Sequence, residues 1–280
     1  MAKILRLKKI GDLPASFSFA VIFIAALLAV PMAGCNEDGE GPFERPAMII
    51  AHRGVNKFAP ENTLPAIEMA IEMDLDYVEI DVRTTKDARL VLMHDNTVDG
   101  TTDGSGRVRD LTAEEIRALD AGSWFSPEYE GTTVPFLEEA LEVMQGRIGV
   151  YVDLKDARPR DLVEALRDAG MIDASVIYAD PFRQFVLKCR EPDIRVMPEV
   201  GNSRALLNLM RFLLRPDVVA ISWGEPTKDF VEKIHSHGIE AFMDILGDMD
   251  NPEGMTAAID MGLDALQTNH PDTLLEVMGE

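Results

Sequence analysis

Three observations predict a (β/α)8 (TIM) barrel over residues 48–280. Short runs rich in Ile, Val and Tyr alternate with longer segments of helical period. The strand-like runs number eight, the count that closes a parallel sheet on itself. Several helical stretches end in Gly, as helices that hand over to a following strand commonly do. A doubly wound open sheet would satisfy the same alternation and stands as the alternative.

Residues 1–34 precede the barrel and read as an export signal. Lys3, Arg6, Lys8 and Lys9 come first, and FSFAVIFIAALLAV (residues 17–30) follows without a charge. That run is shorter than the roughly 20 residues that span a bilayer comfortably. It ends in PMAGC, which resembles the lipobox of bacterial lipoproteins with Met32 in place of the commoner leucine. The resemblance implies cleavage before Cys35, lipid on its sulfur, and an exported chain held at a bacterial membrane, periplasmic or outer-surface. An uncleaved anchor with an incidental cysteine is the alternative. Residues 35–47 include NEDGEGPFERP, polar and rich in Gly and Pro, as a flexible tether should be.

Composition narrows the partners. The chain carries 27 basic and 49 acidic side chains, a formal charge of −22; without residues 1–34 these become 23 and 48, or −25. Nucleic acid is a poor partner for such a surface. Only two cysteines are present. With Cys35 taken by lipid, Cys189 stands alone and no disulfide framework can form. Stability must then come from burial, for which the chain is long enough. The sequence carries no signal for oligomeric state.

The elements follow in order. MIIAH (from Met48) opens the barrel, and NTLPAIEMAIEM has the first helical period. YVEIDV (from Tyr77) is the second strand. A long excursion, residues 84–135, then breaks the rhythm; it holds a hairpin around RLVLMH, a loop around DGTTDGSG and the helix LTAEEIRALD. Extra chain after a barrel strand lands on the catalytic face, so the excursion is a lid or wall of the pocket. FLEEALEVM, GVYVDL (from Gly149), RDLVEALRDAG, SVIYAD (from Ser175) and RVMPEV (from Arg195) come next. VVAISW (from Val218), TKDFVEKIHSHG, EAFMDI (from Glu240), PEGMTAAIDMG and DALQTN (from Asp264) complete the set.

Chemistry concentrates at the strand ends. Period two puts Glu79 and Asp81 on one face of YVEIDV, which in a barrel is the interior near the mouth. GVYVDLK repeats the pattern one strand on, standing Asp153 beside that pair with Lys155 further along the same face. Carboxylates this close repel unless a cation sits between them. With no thiolate or imidazole in the set, a hard ion, Mg²⁺ or Ca²⁺, is favoured over zinc. His52 and His94 each end an apolar strand at the same rim. A metal with Arg53 and Lys155 can neutralise a phosphoryl group, and two imidazoles can supply a base and an acid.

The run HRGVNKFAPENTLPAIEMAIEMDLDYVEIDVRTTKDARLVLMHD resembles the signature of glycerophosphodiester phosphodiesterases, with HRG, PENT, ExD and HD in order. LDAGSWF, VPFLEEAL, YVDLK and the terminal ALQTNHPDTLLEVM extend the likeness from Met48 to about Met278. The resemblance implies that His52 and His94 are the acid and base pair and that Glu79, Asp81 and Asp153 hold the metal. It also implies that Arg53 and Lys155 hold phosphate, with Glu61 and Asn62 of PENT next to the site. The expected reaction is hydrolysis of a glycerophosphodiester to glycerol 3-phosphate and an alcohol; which histidine is the acid stays open. A phospholipase D-like hydrolase of lysophospholipids or sphingolipids is the alternative enzyme, and a surface binding protein that has lost catalysis is the alternative of another class.

Four departures from the family pattern bear on substrate identity. Asp153 stands where glutamate is commoner, Gly100 where an arginine usually precedes the Thr pair, and Phe136 replaces Thr in PTLEE. AFMDILG puts Met243 and Asp244 at positions that normally shape the alcohol pocket. Lesser signals read plainly: His235 and His237 as solvent or capping residues, Trp223 as core or a substrate-stacking ring, Cys189 as a buried small side chain. His270 follows the last strand, where it is a minor candidate for substrate contact.

Overall fold

The computed structural model describes residues 45–222 and 227–280. The export signal, Cys35, the tether up to residue 44, and Trp223 lie outside the described residues. The chain runs β1 (Met48–Ala51), α1 (Leu64–Glu72), β2 (Tyr77–Thr84), β3 (Leu90–Leu92), α2 (Ala113–Arg117), α3 (Leu137–Met144), β4 (Gly149–Leu154), α4 (Pro159–Asp168) and β5 (Ser175–Tyr178). It continues through α5 (Pro181–Arg190), β6 (Arg195–Val196), α6 (Arg204–Leu214), β7 (Val218–Ile221), α7 (Lys228–His235), β8 (Glu240–Asp244), α8 (Pro252–Asp260), β9 (Ala265–Thr268) and α9 (Pro271–Met278).

Eight parallel strands follow one another around the ring in the order β6, β5, β4, β2, β1, β9, β8, β7. The ends meet where Ala220 N donates to Pro198 O at 3.0 Å and Val200 N donates to Ala220 O at 2.9 Å. The sheet is therefore a nearly closed barrel, not an open doubly wound sheet. The fifth barrel strand, β6, is much shorter than RVMPEV, because Pro198 has no N–H to give the ladder and ends it.

Period-two patterning sorts the side chains into two layers. Ile50, Tyr151, Val176, Met197, Val218, Phe242 and Ala265 fill the barrel interior. Their strand neighbours, such as Ile49, Val150, Val152, Ala241 and Met243, pack outward against helix residues including Leu141, Leu162, Val231 and Leu274. Helix starts are set by local chemistry. Asp180 accepts from the N–H groups of Phe182 and Arg183 at the head of α5, and Asn251 does the same for Glu253 and Gly254 at α8. Among the described residues no helix is long and apolar enough to cross a membrane.

Between β2 and β4 the chain builds a wall beside the mouth. β3 pairs antiparallel with the end of β2, and α2 starts on a capping box of Thr112 and Glu115. Val91, Met93, Val98, Val108, Ile116, Ala121 and Val134 form a separate small core under it. Tyr129 Oη donates to Phe58 O at 2.8 Å, which ties the wall to the loop after β1. Cys189 corrects its expectation: it is exposed. Gln184 and Leu187 are the buried positions of α5, and a residue two on from Leu187 lies on the opposite face at 3.6 residues per turn.

Candidate active site

The site begins with backbone geometry at the end of β1. Arg53 is left-handed, with φ 55°, and Gly54 follows at φ 79°. This turn aims Arg53 N at Glu79 Oε2, 2.8 Å away. Only glycine fits the second position. A Cβ on Gly54 would lie 2.6 Å from Ala66 Cβ and 2.8 Å from the Ala66 carbonyl of α1.

β2 and β4 carry the carboxylates. The strands pair in register with Asp81 opposite Asp153, so Glu79, Asp81 and Asp153 offer oxygens all within 4.8 Å of one another. Glu79 and Asp81 are buried. Burial, then the Asp81 charge, pushes the Glu79 carboxyl well above the usual carboxylate range. Burial also raises Asp153, against the pull of the Lys155 ammonium. Lys155 Nζ lies 2.9 Å from Asp81 Oδ1 and 2.6 Å from Asp153 Oδ2. Burial works to lower this ammonium, and the two carboxylates more than offset it, leaving it raised.

Glu61 and Asn62 stand behind these groups and do not line the cavity. Glu61 grips the Arg53 guanidinium at 2.9 and 3.0 Å. Asn62 donates to Asp81 Oδ2 at 2.7 Å and accepts from Asp81 N at 3.0 Å. Arg53 Nε is buried without a hydrogen-bond partner, 3.5 Å from Asp81 Oδ2. Its guanidinium is thus held at the site with one N–H unspent.

The two histidines face the same cavity of about 450 Å³. His52 Nε2 lies 4.0 Å from Glu79 Oε2, and its Nδ1 is 2.7 Å from Asn269 Oδ1. Burial lowers the imidazole to about 4, partly countered by the Asn269 hydrogen bond. His94 follows β3, and its Nδ1 is 2.9 Å from Asp95 Oδ1. Arg83 donates twice to the His94 carbonyl, at 3.0 and 2.6 Å, fixing that backbone.

Asp244 lines the cavity and Met243 does not. Alternation along β8 turns Met243 into the layer between sheet and helices, which corrects its expected place in the alcohol pocket. Solvent reaches Asp244 through the mouth, and burial by the surrounding walls, then Asp153 and Glu199, raises its carboxyl. Opposite it, Glu199 accepts from Tyr178 Oη at 2.9 Å and Ser222 Oγ at 2.8 Å. Sequence reasoning missed Asn269, Asn56, Tyr178, Glu199 and Ser222. The available signal was position, since polar residues at or just past the carboxyl ends of barrel strands border the catalytic mouth. His235 pairs with Asp264 at 2.8 Å and His270 is the N-cap residue before α9; neither lines the cavity.

The model of the glycerophosphoryl diester phosphodiesterase family matches residues 52–273. The chain belongs to that family. A glycerophosphodiester phosphodiesterase of Caldanaerobacter subterraneus is 30% identical over 82% of this chain and 97% of its own length. The crystal structure of glycerophosphodiester phosphodiesterase from Agrobacterium tumefaciens has a TM-score of 0.74 and 30% identity, covering 82% of this chain and 99% of that one. An Oleispira antarctica phosphodiesterase, solved with the product sn-glycerol-3-phosphate, has a TM-score of 0.75 and 27% identity, covering 83% and 97%. The barrel described above is thus a phosphodiesterase barrel of this family, and its acidic cluster fits a divalent metal. Four carboxylates, Glu61, Glu79, Asp81 and Asp153, face two cations, Arg53 and Lys155. The excess of two negative charges and the raised Glu79 carboxyl are what a hard dication would relieve.

Proposed function

We propose that the chain hydrolyses glycerophosphodiesters to glycerol 3-phosphate and an alcohol, with Mg²⁺ or Ca²⁺ held by Glu79, Asp81 and Asp153. The observation that carries this reading is the convergence of those three carboxylates between His52 and His94 in one cavity. The product in the Oleispira complex supports the choice of glycerol 3-phosphate.

Glu79, Asp81 and Asp153 would hold the ion, which when bound would supply positive charge to the reacting phosphoryl group. Arg53 and Lys155 orient the phosphate and share its developing charge. Glu61 keeps the Arg53 fork in place, and Asn62 keeps Asp81 turned toward the site. One histidine takes the proton of the entering oxygen, and the other gives a proton to the alcohol oxygen as its bond to phosphorus breaks. The β2–β4 wall, carrying His94, screens one side of the cavity from water.

Turnover of glycerophosphocholine, glycerophosphoethanolamine, glycerophosphoglycerol and lysophospholipids, with and without Mg²⁺ or Ca²⁺, tests this. Metal-dependent turnover of the soluble diesters is the expected result. Preference for lysolipids would favour the phospholipase D-like reading, and silence across the panel would sink both. His52→Ala and His94→Ala, compared on natural and nitrophenyl diesters, separate the roles. The nitrophenyl group leaves without much protonation, so the acid becomes partly dispensable and the base does not. Export and lipid anchoring through Cys35 belong to the same proposal and rest on the leader and PMAGC; an unchanged mass and detergent partitioning in Cys35→Ser would refute them.

A further inference from the structure

Closure of the barrel divides the lining of the main cavity by charge. The side built from β1, β2 and β4 carries both cations, Arg53 and Lys155, with the three clustered carboxylates, and a dication answers its excess of negative charge. The other side, from β5 round to β9, presents Tyr178, Glu199, Ser222, Asp244 and Gln267 as its polar groups. Among the described residues, no Arg, Lys or His lines the cavity on that side. A diester whose phosphate is held by Arg53 and Lys155 extends one of its two organic arms across the cavity, toward two carboxylates that no cation answers.

Glu199 accepts hydrogens from the Tyr178 and Ser222 hydroxyls, neutral donors that leave its charge in place. Asp244 makes no hydrogen bond and no ion pair among the described residues. Gln267 is an independent sign that a ligand belongs here. It stands in register with Asp244 across β8 and β9, so the two side chains share a face. It lines the same cavity and is only 4% exposed, yet its Oε1 has no hydrogen-bond partner. A buried amide oxygen without a donor is rare and costly.

Each class of ligand can be weighed against these groups. A second metal would need three ligand atoms close together, and among the described residues Glu79, Asp81 and Asp153 make the one such cluster. A neutral polyol would supply hydrogens and leave both carboxylate charges unanswered. A quaternary ammonium has the charge but no hydrogen for Gln267. A primary ammonium brings a positive charge and three N–H donors, and Phe242 and Leu246 on the same side give its short carbon stem an apolar wall. We infer that this side of the cavity selects diesters whose alcohol carries a primary ammonium, with Asp244, Glu199 and Gln267 determining the specificity. The inference rests on the phosphodiesterase reading above and narrows its substrate class.

Glycerophosphoethanolamine and glycerophosphoglycerol share the glycerol phosphate and differ in the alcohol, so their kcat/KM values on the full chain test this. The ethanolamine diester should be preferred roughly tenfold or more. Asp244→Asn keeps the shape and removes the charge; it should cost roughly tenfold on the ethanolamine diester and less than about twofold on the glycerol diester. Asp244→Lys should reverse the order of the two. If Asp244→Asn melts below wild type, Glu199→Gln is read in its place with the same expectation. Equal kcat/KM for the two diesters in wild type overturns the inference. So does an equal loss on both in Asp244→Asn, which would assign Asp244 to the shared glycerol. If neither diester is turned over, the phosphodiesterase reading fails, and calorimetric titration with the two intact diesters decides this one: tighter binding of the ethanolamine diester, lost in Asp244→Asn, upholds it, and equal affinities or no binding overturn it.

Discussion

Asn269 decides which nitrogen of His52 carries the proton. Its Oδ1 already accepts from Asn56 Nδ2 at 2.6 Å and lies 2.7 Å from His52 Nδ1. An oxygen there can only accept, so Nδ1 carries hydrogen and Nε2 keeps its lone pair toward the cavity. In Asn269→Asp a charged acceptor replaces a neutral one at the same place. Charge-assisted hydrogen bonds contribute about 1.5–3 kcal/mol against about 1 kcal/mol for neutral ones. The difference is roughly one pKa unit at 1.36 kcal/mol per unit, which moves His52 from about 4 toward roughly 5. If His52 is the base of the pair, it can accept a proton only when neutral. The acid limb of kcat/KM should therefore shift upward by about one unit, with little change above pH 7. A bound dication would lower His52 in both proteins and leave the shift between them. Asn269→Leu removes the acceptor, and losing about 1 kcal/mol of orientation should cost about fivefold in kcat at unchanged melting temperature. The assay is a pH series on a soluble glycerophosphodiester. An acid limb that stays in place in Asn269→Asp, or full kcat in Asn269→Leu, refutes the argument.

Three further outcomes are expected. Glu79→Gln or Asp81→Asn should abolish Mg²⁺ and Ca²⁺ binding by calorimetry and Asn62→Ala should weaken it about 10–100-fold, while the exposed Glu114→Gln leaves it intact; binding retained by Asp81→Asn would refute the assignment. Gly54→Ala meets Ala66 at 2.6 Å in a left-handed backbone, so at least about 2 kcal/mol of stability should go and the melting temperature should fall by several degrees. Asp120 accepts N–H groups from Gly131, Ser123 and Gly122, and these hold its carboxyl below the usual range. A depressed carboxylate contributes stability fully above its unfolded pKa of about 3.9 and loses it as pH falls through the lower folded value. Asp120→Ala should thus melt below wild type at pH 7, and the gap should close in strong acid; a gap that is flat with pH would refute the linkage.

Local pattern alone determined much of this protein. Eight short strands with helical intervals implied the barrel. Period two put Glu79 and Asp81 on one side of a strand, with Asp153 and Lys155 repeating the motif one strand on, and the order HRG, PENT, ExD, HD supplied the chemistry. Such facts are legible because strand geometry acts between neighbours two residues apart. The tertiary structure decided what depends on distant neighbours or on which face turns inward. Met243 and Asp244 are adjacent, and only closure of the ring shows that Asp244 meets the cavity. Cys189 looked buried beside Leu187 until α5 had an inner face. Asn269 and His52 are 217 residues apart in the chain and meet because β9 pairs with β1. Glu61 and Asn62 lie near the site in sequence, yet only the folded loop shows that they brace Arg53 and Asp81 from behind. A strand's pattern states which side chains share a face; the closed sheet states what that face looks at.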